Sequence, residues 1–255
     1  MSASSGQVPA YLHIGTRSQH IAEAALFAGF DGVVLDLQHG ELDLGTTQIL
    51  LRSIPDPLTR TLVRVPSIEP GVIGTVLDSG AGGIIAPCVE SVEEAQALVA
   101  ATKYAPLGGR SLGPMRSGLY AGDGDYGSAP TQVANDRVRA LVQVESSLGV
   151  ERCAEILAVP GLDGVYVGPA DLALTMAQPP RLDWEDGPVR AAIDHVLTTA
   201  GRLGLDRGIF CASGGYAAKL AASDQVDLVG LGTDLGLVSQ ATRSLIDNYR
   251  GESDV

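Results

Sequence analysis

Short apolar runs alternate with amphipathic helical windows along the chain from residue 10 onward. Most of these runs are rich in β-branched residues and apolar throughout, which is typical of parallel strands covered by helices. Eight of them are predicted strands: Tyr11–Gly15, Gly32–Leu37, Thr61–Val65, Gly83–Pro87, Ala140–Glu145, Gly164–Gly168, Gly208–Ala212 and Asp227–Gly232.

A helical window follows each predicted strand: Gln19–Ala28, Thr46–Ile54, Gly71–Gly80, Val92–Lys103, Leu148–Leu157, Val189–Leu203, Ala217–Ala222 and Leu237–Asn248. Eight strand-then-helix units in 255 residues predict a single (β/α)₈ TIM barrel. A doubly wound open sheet is the main alternative, but no GxGxxG motif follows the first strand. We expect one domain over residues 1–255, with frayed termini at about 1–9 and 251–255 and one long irregular loop, Ala105–Thr131.

The composition narrows the class of partner. A formal net charge of −13 argues against binding to nucleic acid or to an anionic membrane surface. The three cysteines form no CxxC pair, so we expect buried, reduced thiols rather than a zinc site or disulfides. With no signal-peptide pattern and no run long enough to span a membrane, the expected location is the cytoplasm.

Carboxylates follow two neighbouring predicted strands. Glu145 ends the fifth strand, and Asp171 comes just after the Gly168–Pro169 turn that ends the sixth. Because the C-terminal strand ends of a barrel meet at one face, both carboxylates are expected at the same edge. Two carboxylates suit a hard divalent cation such as Mg²⁺ or Mn²⁺. The alternative, that each residue caps the helix that follows it, stays open.

Other strand-end residues could act on a substrate. His39 lies three residues past Asp36, and a carboxylate that orients an imidazole makes a general base; a loop histidine beside a structural aspartate is the alternative. Arg64 is predicted inside the barrel mouth, where a guanidinium needs an anion, either a substrate oxygen or a barrel carboxylate. His13 lies within the first strand and could also face the mouth.

Residues that are absent also limit the chemistry. The chain has only two lysines, Lys103 and Lys219, and both fall in helical windows, so a Schiff-base aldolase lacks its interior lysine. No GxSxG nucleophile elbow is present either, which favours metal-assisted chemistry. The glycine-rich segment Ser213–Gly215 follows the seventh predicted strand and Gly230–Thr233 lies at the eighth, a region where barrels often bind phosphate.

The segments AGFDGVVLDLQHG, LVRVP, VLDSGAGGIIAPCVESVEEAQ, KYAPLGGRSLGP, LVQVES and GLDGVYVGPADLA occur in this order. Together they resemble the HpcH/HpaI family of class II, metal-dependent pyruvate aldolases in the citrate-lyase-like superfamily. The resemblance extends from about Gly15 to Tyr249 and implies a TIM barrel of the phosphoenolpyruvate/pyruvate-binding type.

The resemblance implies roles for the strand-end residues. Glu145 and Asp171 match the two metal ligands of the family, for Mg²⁺ or Mn²⁺, with Co²⁺ also possible. His39 with Asp36 behind it matches the base dyad. Arg64 matches the arginine that contacts the keto oxygen and steadies the enolate.

Further roles concern the bound 2-oxo acid. Gln143 is similar to the glutamine near pyruvate, and the amides of Ala170 and Asp171 would hold its carboxylate. His13 stands near a position where family aldolases commonly have tryptophan, so a more polar pocket is expected. Arg116 is a candidate for a further anion contact.

The reaction that the resemblance implies is the reversible cleavage of a 4-hydroxy-2-oxo acid into pyruvate, or a related 2-oxo acid, and an aldehyde. It also implies a homo-oligomer, typically a hexamer of interlocked dimers. One alternative is a CoA-ester lyase of the citramalyl or malyl type, which needs a basic nucleotide-binding surface that this lysine-poor chain hardly offers. The other is a non-catalytic barrel that binds a phosphate ligand through its last two loops.

Overall fold

Eight parallel strands close into a barrel in the computed structural model, which describes residues 7–114, 116–120 and 131–251. The strands are Ala10–Ile14 (β1), Gly32–Asp36 (β2), Thr61–Arg64 (β3), Gly83–Ala86 (β4), Arg139–Val144 (β5), Gly164–Val167 (β6), Asp206–Cys211 (β7) and Leu228–Thr233 (β8). Each strand pairs with the next, and β8 pairs with β1. The TIM barrel is thereby confirmed, and the open sheet is excluded.

The helices that return the chain between strands lie outside the barrel. They are Gln19–Ala28 (α1), Leu44–Ser53 (α2), Pro57–Arg60 (α3), Pro70–Asp78 (α4), Val92–Thr102 (α5), Ser117–Tyr120 (α6), Thr131–Arg137 (α7), Ser147–Glu151 (α8), Cys153–Leu157 (α9), Pro169–Thr175 (α10), Gly187–Arg202 (α11), Gly214–Ala222 (α12) and Asp234–Arg250 (α13). None of these described helices is long and apolar enough to cross a bilayer.

The predicted strands agree with the observed ones to within two residues at either end. Among the helices, the window Leu148–Leu157 is two helices that meet at Arg152. Helices α3, α6 and α7 were not predicted, because four to seven residues are too few to show a helical period. Residues 1–6, 115, 121–130 and 252–255, which include parts of the expected frayed termini and irregular loop, lie outside the described residues.

Side chains along each strand point alternately to two hydrophobic cores, one inside the barrel and one outside it. Every second side chain points into the barrel and forms an inner core: Tyr11, Val34, Leu62, Ile85, Leu141, Tyr166 and Leu228, with Phe210 packed against them. The larger core fills the space between strands and helices. Four expected site residues, His13, Asp36, Arg64 and Gln143, each lie two positions beyond a member of the inner core. They therefore face inward, one step closer to the C-terminal end of the barrel.

Candidate active site

A bidentate ion pair joins β2 to β3 at the barrel mouth. Asp36 and Arg64 are neighbours in the strand register. Arg64 donates from Nε to Asp36 Oδ1 over 3.0 Å and from Nη2 to Oδ2 over 2.5 Å. Burial acts to raise the pKa of Asp36, but the hydrogen bonds and charge of Arg64 outweigh it and lower that pKa overall. The prediction that Arg64 pairs with a barrel carboxylate is therefore confirmed, and that carboxylate is Asp36. The Nη1 atom of Arg64 makes no hydrogen bond among the described residues.

The same carboxylate holds the loop that carries His39. Asp36 Oδ1 accepts from the backbone N–H groups of Gln38, over 3.1 Å, and His39, over 3.2 Å. The His39 side chain is exposed, and its ring makes no hydrogen bond to Asp36 among the described residues. This geometry corrects the expected imidazole–carboxylate dyad. The aspartate is already engaged by a guanidinium and two amides, so it positions His39 through the main chain.

Glu145 follows β5, and its side chain is held at both oxygens. Oε1 accepts from the backbone N–H of Cys88 over 2.8 Å and from its thiol over 3.1 Å. Oε2 accepts from the Gln143 side-chain amide. A Cβ added at Gly168 would lie 2.5 Å from Oε2, so only glycine leaves room for the carboxylate there. Glu145 is only 4% exposed, and both of its carboxylate oxygens accept hydrogen bonds from neighbouring residues.

Helix capping does not explain the two carboxylates. Ser146 is the N-cap of α8, and its hydroxyl accepts from the Gly149 N–H. Gly168 is the N-cap of α10, and Asp171 lies exposed in the first turn of that helix. The alternative that Glu145 and Asp171 cap helices is therefore rejected.

The negative charges of Glu145 and Asp171 both affect the thiol of Cys88. Partial burial of the thiol is the main cause that raises the pKa of Cys88 to about 12. The hydrogen bond to Glu145 and the charges of Glu145, Asp171 and Glu90 also contribute to this rise in pKa. Cys88 is exposed, which corrects the expectation that all three thiols are buried; Cys153 and Cys211 are buried, and all three are free.

The donor set fits a hard cation. Nowhere in the described residues do three His, Cys, Asp or Glu side chains cluster in a way that could hold a metal ion, as a closed structural zinc site would require. Two carboxylates suit an octahedral cation that takes its other ligands from water or substrate. The Gln143 side chain bonds Glu145, and its buried Oε1 has no hydrogen-bond partner among the residues that the structure describes, which marks a place for a further polar group.

His13 lies lower in the barrel than expected for a residue that lines an open pocket. It is 2% exposed, and its Nε2 is 2.7 Å from the Tyr166 hydroxyl. Burial, followed by the charge of Arg64, lowers the pKa of His13 to about 3, so the ring is neutral. A Cβ at Gly230 would lie 1.9 Å from the Tyr166 hydroxyl, so this glycine makes room for the pair. Within the described part of the chain, the Nδ1 atom of His13 has no hydrogen-bond partner.

Arg116 lies at the other end of the barrel. Its backbone N–H donates to the carbonyl of Asp78, the last residue of α4, over 3.0 Å. Helices of a (β/α)₈ barrel run back toward the N-terminal face, so Asp78 is remote from the strand ends that carry Glu145 and Arg64. The backbone of Arg116 is therefore remote from this pocket within its own chain, and the expected anion contact of its side chain stays a prediction.

The sequence and structure match one family of known proteins. The model of the family described as HpcH/HpaI aldolase/citrate lyase matches residues 10–241. A hydroxypyruvate/pyruvate aldolase from Rhizorhabdus wittichii is 38% identical over 244 residues, which cover 96% of this chain and 92% of that protein. The chain belongs to the HpcH/HpaI aldolase/citrate lyase family.

Two further relatives support this family membership. A 5-keto-4-deoxy-D-glucarate aldolase from Shigella dysenteriae serotype 1 is 34% identical over 224 residues, covering 88% of this chain and 85% of that protein. The crystal structure of a family protein from Burkholderia cenocepacia J2315 has a TM-score of 0.82 at 30% identity and covers 96% and 95% of the two chains. The activities in the family name break carbon–carbon bonds, so the chain is a lyase, and the family is metal-dependent.

The loops proposed for phosphate in the non-catalytic alternative are already engaged. Asp183 accepts from the N–H groups of Ala212, over 2.8 Å, and Ser213, over 3.0 Å, and from the Ser213 hydroxyl over 2.6 Å. An internal carboxylate thus takes the donors that an anion would need after β7. Within β8, the space over Gly230 holds the Tyr166 hydroxyl.

Two residues that shape this HpcH/HpaI site were missed from the sequence. Cys88 comes two positions after β4, and Asp234 begins the helix after β8. Asp234 is 2% exposed and accepts from the N–H groups of Gly15 and Thr16, which ties the loop after β1 to β8. Both lie at C-terminal strand ends, and that rule applied to every strand would have found them.

Proposed function

We propose that the chain is a class II, metal-dependent aldolase that reversibly cleaves a 4-hydroxy-2-oxo acid into pyruvate, or a related 2-oxo acid, and an aldehyde. One observation carries this proposal: the buried Glu145 carboxylate is held by Cys88 and Gln143 over Gly168, at the end of the barrel where Asp36 and Arg64 also meet. The family membership and the aldolases among its relatives support the same reaction.

Glu145 and Asp171 would hold the metal, Mg²⁺ or Mn²⁺, with Co²⁺ as a further candidate. When bound, such an ion supplies Lewis-acid stabilisation of the negative charge that develops on the 2-oxo acid. The amides of Ala170 and Asp171 belong to the first turn of α10, where Gly168 provides no side-chain cap. They are suited to bind the substrate carboxylate, since N–H groups of a first helical turn favour an anion.

Arg64 and His39 are proposed to act on the reacting atoms. The bond to Asp36 fixes the plane of the Arg64 guanidinium and leaves Nη1 to donate to the keto oxygen as its charge grows. His39, exposed on the loop that Asp36 holds, would take the proton from the C4 hydroxyl as the C3–C4 bond breaks. The aldehyde leaves, and the three-carbon fragment is protonated to give pyruvate. Gln143 would orient the 2-oxo acid.

The test is aldol turnover after metal removal. The protein is stripped with EDTA, and cleavage and condensation are followed with pyruvate or hydroxypyruvate, a panel of aldehydes, and Mg²⁺, Mn²⁺ or Co²⁺. We expect turnover to return only with metal, and Glu145→Gln to lose at least about a hundredfold because a metal ligand is removed. Glu93→Gln, on the exposed surface of α5, is the matched control. Near-normal turnover in Glu145→Gln would contradict the proposal.

A CoA-ester lyase fits the charges of the surface less well. The Lys103 ammonium is buried and contacts Asp163 over 2.7 Å, and Lys219 contacts Glu185 over 2.5 Å. Both lysines are therefore engaged by carboxylates and do not form a basic patch for a nucleotide.

We also propose that the protein is a homo-oligomer, and a hexamer by its resemblance to the family. Among the residues of α13, only Asp234 is buried. Leu235, Val238, Leu245 and Tyr249 recur along this helix at intervals of three, seven and four residues and are 56%, 46%, 72% and 86% exposed. An apolar stripe of this length on a helix is suited to pack against a second copy of the chain.

A further inference from the structure

Cys88 donates twice to one oxygen of Glu145. Its backbone N–H lies 2.8 Å and its thiol sulfur 3.1 Å from Oε1. The residue has a φ of +54°, a left-handed backbone conformation that disfavours any side chain with a Cβ. Backbone strain of this kind is often found at functional sites, where the surrounding structure maintains it.

The two oxygens of Glu145 accept different numbers of hydrogen bonds. A carboxylate oxygen has two lone-pair directions. At Oε1 both are used, by the N–H and the thiol of Cys88. Oε2 accepts one hydrogen bond, from Gln143, and lies against Gly168, the residue that leads through the turn to Asp171. The lone pair that remains for a cation is therefore on Oε2.

We propose that Cys88 is a positioning residue that restricts Glu145 to binding the cation through Oε2 alone. This inference rests on the proposed function, in which Glu145 is a metal ligand. Binding through one oxygen suits Mg²⁺, which requires near-ideal octahedral geometry, whereas Ca²⁺ readily accepts both oxygens of a carboxylate. Cys88 thus makes the site selective for small cations.

The test compares the affinities of the metal-free protein for Mg²⁺ and Ca²⁺, measured by calorimetry or by competition with Mn²⁺ monitored by electron paramagnetic resonance. Cys88→Ala and Cys88→Gly keep the N–H and remove the thiol. We expect the ratio of the Ca²⁺ to the Mg²⁺ dissociation constant to fall about fivefold in both, because a weak donor to a charged oxygen is lost. Cys88→Ser, which restores a donor, should return the ratio to within about twofold of wild type.

Two variants separate this effect from a structural one. Glycine adopts positive φ without strain, so Cys88→Gly should keep the thermal stability of wild type while its ion selectivity changes. Cys153→Ala removes a buried thiol in α9 and should leave the ratio unchanged.

The possible failures are distinguishable. If wild type binds neither Mg²⁺ nor Mn²⁺, the proposed metal-dependent function is overturned together with this inference. If wild type binds Mg²⁺ but the ratio is the same in Cys88→Ala and Cys88→Gly, only the positioning role is overturned. A change in Cys153→Ala as large as that in Cys88→Ala would also overturn it.

Discussion

Charged and titratable side chains inside the barrel take their properties from the partners that surround them. Asp36 stays ionised because Arg64 binds both of its oxygens. His13 stays neutral because it is buried beside Tyr166 and near the positive charge of Arg64. The pKa values of both groups are lower in the folded chain than in the unfolded chain, and this difference links stability to pH.

His13 should make the protein less stable as the pH falls. Its pKa is about 3 in the folded chain and about 6.5 in the unfolded chain, so between these values the unfolded chain binds more protons. Stability is therefore lost as the pH drops from about 6.5 toward 3. Through His13 alone, lowering the pH from about 7.5 to 5 should reduce the free energy of unfolding by roughly 2 kcal/mol.

The measurement is urea unfolding of wild type and His13→Gln at both pH values. The variant should lose less stability over this interval by roughly 2 kcal/mol, because glutamine does not titrate. His195→Gln changes an exposed histidine on α11 and should keep the wild-type pH dependence. Equal slopes for wild type and His13→Gln would show that His13 does not supply this dependence.

At the scale of elements, the site depends on how closely the end of β5 approaches the turn after β6. Gly168 allows that approach, since a Cβ there would lie 2.5 Å from Glu145 Oε2 and 3.0 Å from the Gln143 side-chain nitrogen. Neighbouring strands β5 and β6 are paired in register up to Val144 and Val167, so neither can move aside freely.

Gly168→Ala should therefore displace the Glu145 side chain and weaken Mn²⁺ binding by at least about tenfold, with the fold retained. Calorimetric titration with Mn²⁺ and circular dichroism provide the two measurements. Gly74→Ala is the matched control, because Gly74 lies inside α4 with open space at its Cβ position. This control should keep its affinity and gain about 0.5–1 kcal/mol of stability. Unchanged affinity in Gly168→Ala would contradict the role given to Glu145 Oε2.

At the scale of the whole molecule, α13 differs from the other long helices. Helix α11 buries six residues against the barrel, whereas α13 buries only Asp234 and leaves its apolar stripe exposed. In the homo-oligomer proposed above, this 17-residue helix would gain stability by packing its apolar stripe against a second copy of the chain.

Leu245→Glu should dissociate the oligomer into smaller species, because it places a charge in the centre of the packed stripe. Light scattering after size-exclusion chromatography measures the mass. Gln240→Glu adds the same charge on the opposite side of α13, at an exposed polar position, and should leave the mass unchanged. A wild-type protein that is monomeric at micromolar concentration would rule out this assembly.

The sequence by itself determined the order and type of the main elements and the strand ends where chemistry is expected. Apolar runs and helical windows predicted eight strands and their main helices, since these patterns reflect local burial and period. The positions of Glu145 and Asp171 at adjacent strand ends followed from the same pattern. Three short helices, α3, α6 and α7, were missed because so few residues carry no periodic signal.

Only the tertiary structure decided which side chains meet. Pairing of β4 with β5 brings Cys88 to Glu145 across 57 positions of sequence, and pairing of β2 with β3 brings Arg64 to Asp36 across 28. The tertiary structure also places the backbone of Arg116 beside the end of α4 and buries His13 against Tyr166. Side-chain partners depend on register and relative height within the barrel, and those quantities arise from packing of distant elements rather than from any local pattern.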